Sequence, residues 1–325
     1  MRWALLLATI AGLAVAAWVI GRVGFGPVLG AAGALGWGGF GLLCLYTGGV
    51  LALLGLAWWV VTPDQPAQRI GLFVWARATR EGAADILPFS QFGGLLVGAR
   101  TLAAAGLPGP IVYATMIADM TTEMAAQLIF TLYGMAMLAI RLVGGHAPAS
   151  IWPLALGGFA ATVAIMAAFA FLQRPVLGLA GRLGERVLPG SAVAAQAVRD
   201  RLDALYRRRG AICTGFALNL LAWLASGAGA WLALHLMGAR IALIDVLTIE
   251  SLIFTLRSVA FMVPGAVGLQ EAAYVLIGPL FGLDPQTALA LSLVKRARDL
   301  ALGIPALILW QIGESRRLLY AASPR

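Results

Sequence analysis

Fourteen acidic and twenty-three basic side chains are spread over 325 residues that are 61% hydrophobic, and several of them interrupt otherwise apolar stretches. Those are the residues with chemistry to offer, because a charge at the centre of a membrane span costs about 2.5–3.5 kcal/mol on insertion scales and persists only with a partner or a polar cavity. In the stretch 110–140, Asp119 and Glu123 stand four apart on one helical face, and Thr122 and Gln127 extend the polar stripe. In 286–312, Lys295, Arg296, Arg298 and Asp299 cluster near the middle, so one stretch contributes acids and the other mostly bases. Three chemistries fit. The groups are mutual counter-ions, clamping two parts of the chain together. Alternatively they line a polar path, in which Arg296 and Arg298 engage an anionic head group by bidentate hydrogen bonds while the acids balance them. A third reading makes Asp119 and Glu123 a magnesium site, although prenyl-transfer chemistry normally uses richer aspartate clusters.

The other candidates lie where backbone regularity breaks. Around the first break, Glu81, Asp85, Pro88, Ser90, Gln91 and Gly93-Gly94 follow one another, with Arg100 a little further on. Around the second, Pro264-Gly265-Ala-Val-Gly268-Leu-Gln270-Glu271 follows Arg257, and Glu271 falls where an acid favours the dipole of a starting helix. Freed backbone groups at such breaks must face protein or a polar cavity rather than lipid. Neither Gly-x-Ser-x-Gly, His-Glu-x-x-His nor a P-loop occurs, so hydrolase, zinc-protease and ATPase chemistry lacks a motif. His146 and His235 are isolated, and Cys44 and Cys213 lie in apolar runs without ligand spacing. Neither a cofactor nor a metal centre is expected.

The elements that must position these residues are membrane spans. Only 11% of the chain is charged and mean hydropathy is +0.90, whereas soluble domains carry about 25% charged residues. Formal net charge is +9, but the bases, with Lys295 the sole lysine, sit mainly at the ends of apolar stretches. That distribution orients a membrane protein and argues against nucleic-acid binding. Spans need about 20 apolar residues, and 3–20, 37–61, 110–140, 150–173, 211–237 and 286–312 qualify, the first reading as a retained span rather than a cleaved signal. The regions 68–87, 88–106 and 240–282 are apolar but interrupted by Arg77, Arg80, Glu81, Asp85, Pro88, Glu250, Arg257 and Pro264. The fold class is therefore all-α: a polytopic integral membrane protein of about 8 to 10 transmembrane or re-entrant helices in a single domain, 1–325. The arginine-rich segment 174–210 reads as a cytoplasmic loop, and Arg2 and Arg316-Arg317 place both termini on the same side.

A shift of 176 positions superposes Pro88 on Pro264, Gly106-Leu107 on Gly282-Leu283 and Asp119 on Lys295. The order of features repeats too, giving pseudo-repeats of about 1–145 and 146–325. Five passages in each half would set the halves in opposite orientation, the inverted repeat of many transporters, with the substrate site at the broken segments.

Pro264-Gly265-x-x-Gly268-x-x-Glu271, then Gly282-Leu283 and the pair Lys295-Arg296, resembles the flippase-like membrane domain of the lysylphosphatidylglycerol synthetase superfamily over most of the chain. Glu81-Gly-Ala-Ala-Asp85-x-Leu-Pro88-Phe-Ser-Gln91-x-Gly-Gly, followed by Asp119-x-Thr-x-Glu123-x-x-x-Gln127, is most similar to the branch associated with bacterial hopanoid biosynthesis. The resemblance implies a lipid transporter or flippase of the bacterial inner membrane, with a hopanoid, a phospholipid or a polyprenyl lipid as cargo and lipid-biosynthesis proteins as partners. Where the namesake branch carries a Gly-Glu pair, this chain has Ser90-Gln91-Phe92, so head-group specificity does not carry over. The chain ends at Arg325 without a soluble aminoacyl-transfer domain, and lipid aminoacylation is not expected of it. Two other functions stay open: a membrane-embedded enzyme acting on a polyprenyl or glycolipid substrate, and a non-transporting scaffold for lipid-synthesis enzymes.

Overall fold

The computed structural model describes residue 30 and residues 32–86, 90–143, 151–184, 190–259 and 268–322. The expected span 3–20, the break at Pro88 and the break at Pro264-Gly265 lie outside these residues. Among the described residues every regular element is helical: ten α-helices and two short 3-10 turns, with no strand. In chain order they are α1 (Gly36–Val61), α2 (Ile70–Ile86), α3 (Ser90–Ala104), α4 (Gly109–Val143), α5 (Ile151–Gly184), α6 (Ser191–Arg207), α7 (Arg209–Leu236), α8 (Leu243–Val259), α9 (Leu269–Ile277) and α10 (Pro285–Ala322).

Three of them, Gly36–Val61, Gly109–Arg141 and Arg209–Leu236, are long and apolar enough to cross a membrane. Their outward faces are apolar, as lipid requires, while the polar residues Asp119, Thr122 and Asn219 are buried inside the bundle. Large hydrophobic residues such as Leu45, Ile140, Phe171, Leu276 and Leu309 point outward from the bundle. In water such a surface would aggregate, whereas in a bilayer it is the solvent-matched face. α10 is equally long, yet its charge cluster keeps it from being a simple lipid-facing span; Pro305 sits inside it, as Pro175 sits inside α5. The segment 174–210, read as a loop, is itself largely helical. α5 runs on to Gly184, and α6 forms because Val198, Leu202 and Leu205 recur at helical spacing and bury one face against Ala114 and Ala118 of α4.

Two turns share one geometry. At the end of α3, Gly106 (φ 89) donates its N–H to the carbonyl of Ala103 at 3.0 Å, and Leu107 donates to Leu102 at 3.3 Å. After α9, Gly282 (φ 84) donates to Pro279 at 3.2 Å and Leu283 to Gly278 at 3.1 Å. Both are Schellman turns, for which glycine is the residue that tolerates positive φ. Each residue of one turn lies 176 positions from its counterpart, and the next helices start at Gly109 and Pro285, again 176 apart.

Helix packing has the same regularity. α1 lies along α7; α2 packs on α1, α3 and α10; α8 packs on α7, α9 and α4. Exchanging α1 with α7, α2 with α8, α3 with α9 and α4 with α10 carries these contacts onto one another. The crossings between the halves are close because small residues sit there. A Cβ on Gly82 of α2 would stand 2.9 Å from Cα of Gly303 in α10, and one on Gly134 of α4 would stand 2.0 Å from Oγ of Ser251 in α8. The two largest buried clusters among the described residues lie around Trp58, Phe73 and Leu102 and around Leu43, Leu234, Ile249, Tyr274 and Leu291.

Candidate functional site

The intramembrane charges form three groups. In the first, α2 presents Arg77 and Arg80 to Asp119 and Glu123 of α4. Arg77 Nη1 donates to Asp119 Oδ2 at 3.1 Å and to Glu123 Oε2 at 3.0 Å, and Nη2 bonds Glu123 Oε1. Arg80 donates to the same two acids at 3.2 and 3.1 Å. Asn219 of α7 completes the cage, with Nδ2 3.4 Å from Asp119 Oδ1 and 3.0 Å from Thr122 Oγ1. Two guanidinium forks thus face two carboxylates, and a third, Glu81, places Oε1 3.0 Å from Nε of Arg77, so the cluster holds three acids against two bases. The Arg77 and Asp119 side chains are 1% and 0% exposed. This group is a clamp whose donors are directed at its own acids. The acids find their partners in the same half, not among Lys295, Arg296 and Arg298 of the other.

The second group joins α8, α9 and α10. Lys295 Nζ bonds Glu250 Oε2 and lies 2.8 Å from the hydroxyl of Tyr274, which in turn bonds Glu250 Oε1. All three side chains are buried. Beside them, Gln270 donates to Ser292 Oγ at 3.0 Å. Glu271 Oε2 accepts the Gly268 N–H at 2.8 Å, and its Oε1 accepts Arg296 Nε and Nη2 at 3.0 and 2.8 Å. Glu271, the third residue of α9, thus caps the helix start by accepting the N–H of the N-cap residue Gly268, and Arg296 ties it to α10.

The third group lies at the junction of the halves and is looser. Arg257, in the last turn of α8, places Nη2 3.8 Å from Oδ1 of Asp85 near the end of α2, too far for a hydrogen bond, with side chains 26% and 30% exposed. Arg298 donates through Nε and Nη2 to a single oxygen of Asp299, at 3.0 and 2.6 Å. Asp299, Arg257, Glu81 and Arg298 all act electrostatically on Asp85, so α2, α8 and α10 bring these charges to one place. Each of the three helices comes from its own stretch of sequence, and both α2 and α8 stop there. An arginine held at 3.8 Å from its nearest acid and partly open has donors that an anion can reach without dismantling a clamp.

The remaining candidates are dispersed. Arg100 is half exposed and pairs with Glu314 of α10. Gln127 is half-buried on α4, one turn beyond Glu123. Ser90 and Gln91 open α3, but their side chains lie outside the described residues. Among the described residues no cluster of His, Cys, Asp or Glu is arranged to hold a metal ion. Sequence reasoning missed five members of these groups. Arg77, Arg80 and Glu250 stood out only as interruptions, although Arg77, Arg80 and Glu81 at i, i+3 and i+4 mark one helical face. Asn219 and Tyr274 carry no spacing signal, because their partners lie on other helices.

The architecture defines a class: an all-α, polytopic membrane protein. Residues 4–306 match the family model described as the lysylphosphatidylglycerol synthase TM region, and the chain belongs to that family. Membership ties it to the handling of membrane lipid. No curated protein and no solved structure matches the chain.

Proposed function

We propose that this protein moves an amphipathic lipid between leaflets or between membranes, and that the junction of Asp85, Arg257, Arg298 and Asp299 receives the polar head. The observation that carries the reading is the contrast in closure. The Arg77–Asp119–Glu123 and Lys295–Glu250–Tyr274 contacts are buried and tightly paired. At the junction, where helices from both halves end or cross, Arg257 and Asp85 are instead partly open and loosely paired, beside a buried Arg298 that bonds a single oxygen of Asp299. Charge kept in a membrane without tight pairing is costly unless it serves a substrate or a water-filled path. The matching Schellman turns and the exchange-symmetric packing support two related halves, about 1–145 and 146–325, in opposite orientation. In inverted-repeat transporters the site forms at such an interface. The arginine-rich α6 region and the terminal arginines favour a bacterial inner-membrane setting with both termini cytoplasmic. The motif around Glu81–Gly94 favours a hopanoid or another polycyclic or polyprenyl lipid as cargo, with a phospholipid as the next choice, and lipid-synthesis proteins as neighbours.

The test is reconstitution into liposomes carrying a labelled hopanoid or phospholipid. Faster leaflet exchange than in protein-free liposomes, lost in Arg257→Gln and Arg298→Gln variants that still fold, is the expected result. Exchange no faster than in protein-free liposomes would sink the proposal.

A further inference from the structure

Away from the charged groups, a cleft of about 130 Å³ opens at one end of the bundle, where the turn after α1, the start of α4, and α6 with its junction to α7 converge. Its lining is mostly apolar, with Ile111 and Ala114 of α4 and Leu205 of α6 beside the polar Thr115, and exposed Arg201, Arg208 and, from the turn after α1, Asp64 border it. The depth at which it lies follows from its neighbours. α1 ends at Val61, and α4 and α7, both long enough to span, begin at Gly109 and Arg209. The cleft is therefore at the height where hydrocarbon gives way to head groups. α6 has the character of an interfacial helix: one face packs apolar residues on α4, and Val193 at its start is exposed. Arg199, Arg201 and Arg207 lie along it together with Asp200 and Asp203, which leaves the helix with a net charge of +1 from three bases and two acids.

The geometry points to a binding site for the phosphate of an anionic phospholipid, with Arg201 and Arg208 holding the phosphate and the wall of Ile111, Ala114 and Leu205 receiving the first part of the acyl-glycerol. Basic clefts between helices at a membrane surface capture lipid phosphates, because each interfacial arginine adds attraction and the apolar wall adds burial. A soluble anion would gain only the first of these. The small volume suits a bare phosphate rather than a bulky sugar or choline head. Asp64 opposes the anion, leaving the rim with a net charge of +1, so the site is one of modest affinity that its own acid restrains. It is separate from the junction proposed for cargo and stands whether or not that proposal does.

Native mass spectrometry of the full chain, titrated with phosphatidic acid, phosphatidylcholine or inorganic phosphate, tests it. Retention of phosphatidic acid over phosphatidylcholine is expected. The double variant Arg201→Gln, Arg208→Gln should weaken that retention by about thirtyfold, the weight of two interfacial arginines. Asp64→Asn should strengthen it severalfold, and Arg199→Gln, which removes a charge from the same helix without touching the cleft, should leave it nearly unchanged. Equal loss in Arg199→Gln would reduce the effect to net charge, and unaltered retention in the double variant would remove the site. Inorganic phosphate that binds as well as the lipid would reassign the cleft to a free anion; each of these three results overturns the inference.

Discussion

The clamp between α2 and α4 and the clamp between α8 and α10 occupy corresponding places in the two halves with opposite polarity. In the first half the bases, Arg77 and Arg80, stand on the helix before the break and the acids, Asp119 and Glu123, on the long helix after it. In the second half the acid, Glu250, precedes the break and the base, Lys295, follows it. Asp119 and Lys295 are 176 residues apart, the same interval that separates the two Schellman turns. What recurs is therefore a helix pair held by buried ionic contact, while the sign of charge on each helix is free to reverse. The clamps differ in strength as well. Two guanidinium forks can each grip two carboxylates, whereas a lysine is a single point charge that here recruits the Tyr274 hydroxyl to complete its contacts.

The comparison is open to direct attack, and the largest effect should come from the first clamp. Arg77→Met leaves Asp119 and Glu123 short of a shared partner in a site nearly closed to solvent, and breaking a buried pair from one side costs about 3–5 kcal/mol. Thermal unfolding in detergent should show that loss, or yield of folded protein should collapse. Lys295→Met should act in the same direction but less, since Tyr274 still donates to Glu250. If the sign on each helix is indeed interchangeable, the double variant Glu250→Lys, Lys295→Glu should recover part of the stability lost in either single change, as read in a thermal double-mutant cycle. Additive losses would show that polarity is fixed by surroundings beyond the pair.

Smaller effects separate the crossings between halves. Gly82→Ala presses a methyl against backbone of Gly303, which has no side chain to move aside, and should cost about 1–3 kcal/mol, the usual penalty of overpacking. Gly134→Ala meets the hydroxyl of Ser251, which donates to the Phe130 carbonyl at 2.7 Å. The added methyl would also stand 2.7 Å from Ser251 Cβ, which rotation leaves in place, so Gly134→Ala should be relieved in part by Ser251→Gly, which removes both atoms, a rescue with no equivalent for Gly82. Tyr274→Phe removes a bond to a charged group, worth about 1.5–3 kcal/mol, partly offset because Lys295 still neutralises Glu250.

Much of this molecule was legible before its structure. Apolar length located α1, α4 and α7 to within a few residues, because in lipid a span must be apolar whatever it packs against. The shift of 176 aligned Gly106 with Gly282, since both turns need a residue at positive φ. Pairing was not legible. Arg77 is 42 residues from Asp119, Lys295 is 45 from Glu250, and only the folded bundle, across which these long side chains reach from α2 to α4 and from α10 to α8, brings them together. Charge sign along the chain suggested an acid-rich half facing a base-rich half, whereas Asp119 and Glu123 are paired within the first half and Lys295 and Arg296 within the second, while pairs such as Arg257–Asp85 and Arg100–Glu314 cross between them. The α6 helix was hidden for a different reason. Its arginines dominate the composition of 174–210, and the periodic Val198, Leu202 and Leu205 beneath them are few.

The proposed function rests on the distinction between clamps that hold the bundle and a looser junction proposed to receive the lipid head. Arg257→Gln separates these roles, because Arg257 is partly exposed and 3.8 Å from its acid, so its loss should cost less than 1 kcal/mol of stability. Leaflet exchange of a labelled lipid in proteoliposomes should then fall to the rate of protein-free vesicles in Arg257→Gln, while the variant unfolds at the temperature of the unmodified protein. Undiminished exchange in that variant would contradict the assignment of the junction as the lipid-handling site.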